Sequence, residues 1–245
     1  MLPILNIGPL AVQTPGLLLL IAVWVGLSLA GKRSHHSGIA SETLDSLVLA
    51  SLTGFVLGGR LFYVVGNLNT FLASPLDIVS LNYSLFDLAG GLASGLLTGL
   101  VYGRRKQLPL LPTLDALTPF LATLMVGLGT SHLASGDAFG KETSLPWAIE
   151  IFGAKRHPSQ VYEIAAALFI LNLFGLRKPF MVPGKQFLLF VAFSAGTALF
   201  LEAFRGDSIL VAGGIRLTQV LAWLILAAVL ISLEQLQKGT GESHG

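Results

Sequence analysis

Polar chemistry in this chain is concentrated between Ser135 and Glu163. That stretch, SGDAFGKETSLPWAIEIFGAKRHPSQVYE, is the one long polar interruption in a very apolar sequence. It contains Asp137 and the compact run Arg156-His157-Pro158-Ser159-Gln160-Val161-Tyr162-Glu163. Ser159 reads as the N-cap of a helix, with Tyr162 and Glu163 in its first turn. Backbone N–H groups at such a start attract anions, and Arg156 and His157 stand immediately before it. A phosphodiester could dock there. The pattern is common and does not by itself name a ligand.

A second set of groups lies inside or at the ends of apolar segments: Arg60, Asp87, Glu163 and Glu202, with Arg205 three residues after Glu202. A charge at the centre of a bilayer costs at least ~2.5–3.5 kcal/mol on insertion scales. Such residues pair with one another or line a polar cavity. Spacing allows Glu202 to share a helix face with Arg205. Arg60 is expected to face the bundle interior and meet an acid, with Glu163, Asp87 and Glu202 as the candidates. The functional alternative is a polar cavity that opens outward and holds a lipid head group. His132 ends the apolar run just before the polar stretch. An imidazole can accept a proton near neutrality, and a lone histidine at a helix end serves equally as a cap or an interfacial residue.

The elements that carry these groups follow from composition. Of 245 residues, 53% are hydrophobic and 11% charged, against roughly a quarter charged in a soluble domain. The reading is an all-α membrane protein, since a span needs about 20 mostly apolar residues. The sequence has no cysteine, which excludes disulfides, thiolate metal sites and a cysteine nucleophile. A net charge of +2 is too small to suggest nucleic acid. Seven spans are expected, at about 15–31, 44–65, 86–102, 114–134, 159–176, 187–204 and 217–233. A short amphipathic start precedes them, and 68–84 reads as interfacial.

Lys32 and Arg33 follow the first apolar run, which is the wrong order for a cleaved signal. Lysines and arginines cluster after spans one, three, five and seven, and cytoplasmic loops carry that excess. The N-terminus is therefore expected outside and the C-terminus cytoplasmic. Residues 1–236 form a single membrane domain with an external polar segment at 135–157. The tail 237–245 is expected to be disordered. The glycines Gly58-Gly59, Gly90-Gly91 with Gly95, and Gly127 with Gly129 read first as close helix packing. No internal repeat is visible, which counts against an inverted-repeat transporter.

Several motifs, in order along nearly the whole chain, resemble the prolipoprotein diacylglyceryl transferases of the bacterial cytoplasmic membrane. They are Gly59-Arg60-Leu61-Phe62-Tyr63, Gly90-Gly91-Leu92, Asp115 with Pro119, Gly136-Asp137 with Gly140, Leu145-Pro146-Trp147-Ala148, Arg156 to Glu163, and Glu202 with Phe204-Arg205. Gly8-Pro9-Leu10 and Pro183-Gly184 also match. The resemblance implies seven helices with the N-terminus outside. It implies transfer of the diacylglyceryl group of phosphatidylglycerol to the thiol of a lipobox cysteine in a prolipoprotein. It implies no metal or cofactor, and a monomer is the expected state. By the same resemblance, Arg60, Gly90, Gly91, Arg156, His157, Ser159, Gln160, Tyr162, Glu163, Glu202 and Arg205 are the substrate-binding candidates.

The chain departs from that pattern at the residues that would do the chemistry. Ala89 stands where the family has a histidine, Gly129 where it has an arginine, and His132 where it has an asparagine. Asp137 replaces a glutamate. On the sixth span Ser194 and Ala198 replace a tyrosine and an arginine. Two readings follow. In one, the chain is a divergent transferase with His132 and Asp137 as catalytic candidates and Arg60, Arg156 and Arg205 holding the phosphate. In the other, it keeps the fold and binds lipid or lipoprotein without chemistry. Fold alone does not choose between them. Restoring arginine at Gly129 is expected to tighten phosphatidylglycerol binding if the pocket is still shaped for it.

Overall fold

The computed structural model describes residues 3–7, 10–74, 76–77, 85–178 and 180–242. A hairpin of β1 (Ile4–Ile7) and β2 (Leu10–Gln13) opens the chain. Helices α1 (Thr14–Ser34), α2 (Ser41–Gly66), short α3 (Leu68–Ala73), α4 (Leu88–Arg105) and α5 (Leu110–Ser135) follow. A second hairpin, β3 (Ile149–Ile151) with β4 (Ala154–Arg156), lies inside the polar stretch. Then come α6 (Ser159–Ile170), which continues as a π-helical turn over Leu171–Leu176, and α7 (Lys185–Leu201). A small hairpin of β5 (Leu210–Val211) and β6 (Ile215–Arg216) precedes α8 (Leu217–Glu242).

The fold is mostly helical, as expected. Six helices among the described residues are long and apolar enough to cross a membrane: 14–37, 41–66, 110–135, 159–176, 185–204 and 217–238. Their outer faces carry large exposed apolar side chains such as Trp24, Leu57 and Trp223, the surface a hydrocarbon solvent requires. The short start ahead of the first span is a β-hairpin. The final helix runs on to Glu242, past the point where a disordered tail was expected; residues 243–245 lie outside the described residues, as does most of 75–84.

α5 is the hub. It packs on α1, α6 and α7, and half of its most apolar stretch is buried, against a third or less for the other five candidate spans. Polar residues on α5 therefore sit inside the bundle. The expectation that glycines mark close packing holds. Gly26 lies against Phe120, where an added Cβ would stand 2.9 Å from Cδ2. Gly58, Gly90, Gly91 and Gly95 let α2 and α4 meet almost backbone to backbone, against Ser94, Phe62, Phe86 and Phe55.

Asp115 of α5 fixes the start of α7. It is 9% exposed, and its carboxylate accepts hydrogen bonds from the backbone N–H groups of Gly184 and Phe187, the latter at 2.8 Å. These are amides at a helix start, which have no partner within their own helix. Asp115→Ala leaves both buried and unsatisfied, at about 1–3 kcal/mol for each. The expected result is a fall of several degrees in Tm in detergent; an unchanged Tm means water replaces the carboxylate.

Candidate functional site

The site forms where α5, α6 and α7 meet the polar stretch. α5 ends at Gly136, whose φ of 87° is left-handed and turns the chain out of the helix. His132 lies one turn earlier, on the side facing α6. Its Nδ1 is 2.9 Å from Oε2 of Glu163 in the first turn of α6. The two side chains are 28% and 30% exposed, so the pair is partly sheltered but reachable.

Gly129 brings the two helices together one turn below His132. A Cβ there would lie 2.9 Å from Cγ1 of Ile164 and 3.2 Å from its backbone nitrogen. Ile164 is the neighbour of Glu163. The glycine that stands in place of the family's arginine thus lets α6 approach closely enough for His132 to reach Glu163. The first side-chain atom of an arginine at this position would already crowd α6.

Glu202, just past α7, is 2% exposed, and its Oε1 has no hydrogen-bond partner among the described residues. Its Oε2 is 3.9 Å from Nε of Arg205. The expected pair is therefore a long one. Arg205 bonds more closely to Asp207, through Nε at 3.0 Å and Nη2 at 2.9 Å. Burial works against the charge of Arg205, but the hydrogen bond to Asp207 and the nearby Glu163 and Glu202 more than offset it, and its pKa is raised. Glu163, Glu202 and Arg205 line a cavity of about 110 Å³ with Ser194 and Ala198. The cavity thus lies against the two positions at which the resemblance led to the expectation of a tyrosine and an arginine.

Beside it runs an apolar groove of about 970 Å³ between α6, α7 and α8. Thr197 and Leu201 belong to both walls. At the groove's mouth Trp147 Nε1 donates to the Tyr162 hydroxyl at 2.8 Å. His157 Nδ1 is 3.5 Å from the same oxygen and packs edge-on against Phe204.

The rest of the expected set has structural employment. Ser159 is the first residue of α6 and not its N-cap; Pro158 is, with no side-chain cap bond. The Ser159 hydroxyl instead donates to the carbonyl of Ala138, and Gln160 Nε2 donates to that of Asp137 at 2.9 Å. These two buried residues clamp the polar stretch onto α6. Two of the first amides of α6 are engaged, Ser159 N by His157 O at 2.8 Å and Val161 N by Pro158 O at 2.9 Å. The Asp137 side chain is exposed.

Arg156 is bound into the hairpin region. It reaches Glu142 at 3.1 Å and the carbonyls of Ile151 and Gly140, and it lies over the Phe139 ring. Arg60 corrects another expectation. It pairs with neither Glu163 nor Glu202; it donates to the carbonyls of Leu85 and Asp77 and lies over Phe71. Asp87 caps α4 by accepting from Gly90 N. Gly90 and Gly91 serve the α2–α4 contact, and Ala89 is exposed on α4.

Sequence reasoning missed Asp207 and the pairing of His132 with Glu163. Gly206 between Arg205 and Asp207 marks a tight turn that could have signalled the first. Nothing in the sequence signals the second, because the partners are 31 residues apart.

The site's layout is that of an α-helical membrane protein with a small cavity holding Glu163, Glu202 and Arg205 against a larger apolar groove. The chain belongs to the prolipoprotein diacylglyceryl transferase family, whose family model matches residues 3–233. A phosphatidylglycerol–prolipoprotein diacylglyceryl transferase of Photobacterium profundum is 32% identical over 188 residues, covering 72% of this chain and 70% of that protein. Proteins of the same name from Synechococcus elongatus and a Nostoc species are each 25% identical, cover 94% of this chain, and are themselves covered over 85% and 87% of their length.

Proposed function

We propose that the protein transfers the diacylglyceryl group of phosphatidylglycerol to the lipobox cysteine thiol of prolipoproteins, in the bacterial cytoplasmic membrane. The carrying observation is the shared wall between the apolar groove and the polar cavity. A phospholipid with its chains in the groove has its head group at Glu163, Glu202 and Arg205. His132 is the group that takes the thiol proton, and Arg205 faces the phosphate. The reaction forms a carbon–sulfur bond and breaks the carbon–oxygen bond to phosphate, so a base and a positive charge are its two requirements. The test is direct: purified protein, phosphatidylglycerol vesicles and a lipobox peptide yield a thioether product. No product above a no-enzyme control overturns the reading. Phosphatidylglycerol binding without product would support the alternative of a lipid-binding relative without chemistry, which the small residues Gly129, Ser194 and Ala198 favour.

The inferred arrangement has seven spans, with α4 as the seventh at 18 residues, about 27 Å at 1.5 Å per residue. The N-terminus is outside and the C-terminus cytoplasmic, in one membrane domain over 1–236 with 135–157 external. This orientation puts Lys32, Arg105 and Lys178 in the cytoplasm. Because the chain has no cysteine, single-cysteine variants read the topology cleanly. Arg105→Cys is expected to resist an impermeant thiol reagent in intact cells, and Lys155→Cys to react where the outer face is accessible. Labelling of the first from outside sinks the orientation.

A further inference from the structure

The sequence leaves His132 as a histidine at a helix end. Its surroundings give it more. Nδ1 is engaged by Glu163 at 2.9 Å, and Nε2 has no hydrogen-bond partner among the described residues. Nε2 is not sealed in the interior. A carboxylate only accepts, so with neutral imidazole the proton lies on Nδ1. The hydrogen bond at one ring nitrogen sets which nitrogen is left to react.

We propose that Glu163 is the positioning residue of a His132–Glu163 pair that fixes the Nδ1–H tautomer and leaves Nε2 as the base for the substrate thiol. The inference rests on the transferase reading above. In the step, the thiol proton moves to Nε2. The sulfur attacks the glyceryl carbon that carries the phosphate. The carbon–oxygen bond breaks, and its electron pair leaves with glycerol phosphate. The imidazolium formed is stabilised by Glu163 and later returns its proton to the departing phosphate. Asp137 and Arg205 are the other charged groups whose fields reach the ring.

Three features make the pair a built one. Gly129 sets the spacing of α5 and α6 one turn away. The clamp of Ser159 and Gln160 onto the carbonyls of Ala138 and Asp137 holds the start of α6 against the end of α5. The long Glu202–Arg205 pair and the closer Arg205–Asp207 pair leave Glu163 with His132 as its nearest ionic partner.

Nitrogen-15 NMR of histidine-labelled protein in detergent tests the pairing without substrate, with the His132 signals assigned by their loss in His132→Gln. Wild type is expected to show the Nδ1–H form, and Glu163→Ala a shift toward the Nε2–H form. An Nε2–H signature in wild type, or no change in the variant, overturns the pair. Kinetics test the role. Glu163→Ala is expected to lower kcat about 10²-fold or more, up to the range of losing a general base; a change confined to KM for phosphatidylglycerol would make Glu163 a head-group contact only and overturn the positioning role. Glu163→Gln keeps an acceptor at Nδ1 and is expected to fall between. An active wild type with unchanged kcat in Glu163→Ala overturns the role. If wild type makes no thioether, the transferase reading fails and the catalytic role with it, while the NMR result stands separately for the pair.

Discussion

Replacing His132 by alanine is expected to lower the turnover of diacylglyceryl transfer by about 10²–10⁴-fold, the span for loss of a positioned general base. The expectation rests on three observations. The histidine lies at the open end of the most buried helix, where water and substrate can reach it. Its Nδ1 is held by Glu163 at 2.9 Å. The position at which the resemblance implied a histidine is Ala89, which is exposed on α4 and cannot act as a base. Folding should survive, because the side chain is partly exposed and makes one side-chain hydrogen bond. Initial rates with phosphatidylglycerol vesicles and a lipobox peptide, read beside Tm in detergent, decide the matter. A turnover equal to wild type means that another group takes the thiol proton. A large fall in Tm means that the histidine is structural.

Gly129→Arg is expected to abolish transfer and to weaken phosphatidylglycerol binding. Family comparison by position suggests the opposite, a gain from a restored phosphate-binding arginine. Packing reverses the sign. The first side-chain atom alone would crowd Ile164 at its Cγ1 and its backbone nitrogen. Backbone at a helix contact moves only with the whole helix. Overpacking of this kind costs typically ~1–3 kcal/mol, occasionally more. Driving α6 away also carries Glu163 from His132, so activity falls even where the fold holds. The measurements are phosphatidylglycerol affinity, turnover and Tm of the purified variant. Tighter binding with an unchanged Tm would show that α6 yields easily and that the pocket is still shaped for an arginine.

The positions most exposed to misreading share one feature: their partners are distant in sequence. Arg60 was expected to need a carboxylate, because a guanidinium within an apolar run is costly without a partner. It finds carbonyls of Leu85 and Asp77 instead. Arg156 was expected to hold phosphate and is bound to Glu142 and the hairpin. Both are donors in search of oxygen, and sequence does not say which oxygen the fold brings near.

The amino-acid sequence alone determined the solvent, the helices and the family. A chain that is 53% hydrophobic and 11% charged cannot bury its apolar surface against itself in water, and apolar runs of span length fold as helices because lipid offers no hydrogen-bond partners. Glycine pairs such as Gly58-Gly59 and Gly90-Gly91 announced close helix contact, since only a missing Cβ allows it. The tertiary structure alone decided the site. It joined His132 to Glu163, gave Arg205 to Asp207, left one oxygen of Glu202 without a partner, and placed α6 in the space over Gly129. The physical reason is reach. Helix propensity and hydropathy act over a turn or two of chain, whereas a hydrogen bond or ion pair depends on distances of about 3 Å that only the packing of whole helices sets.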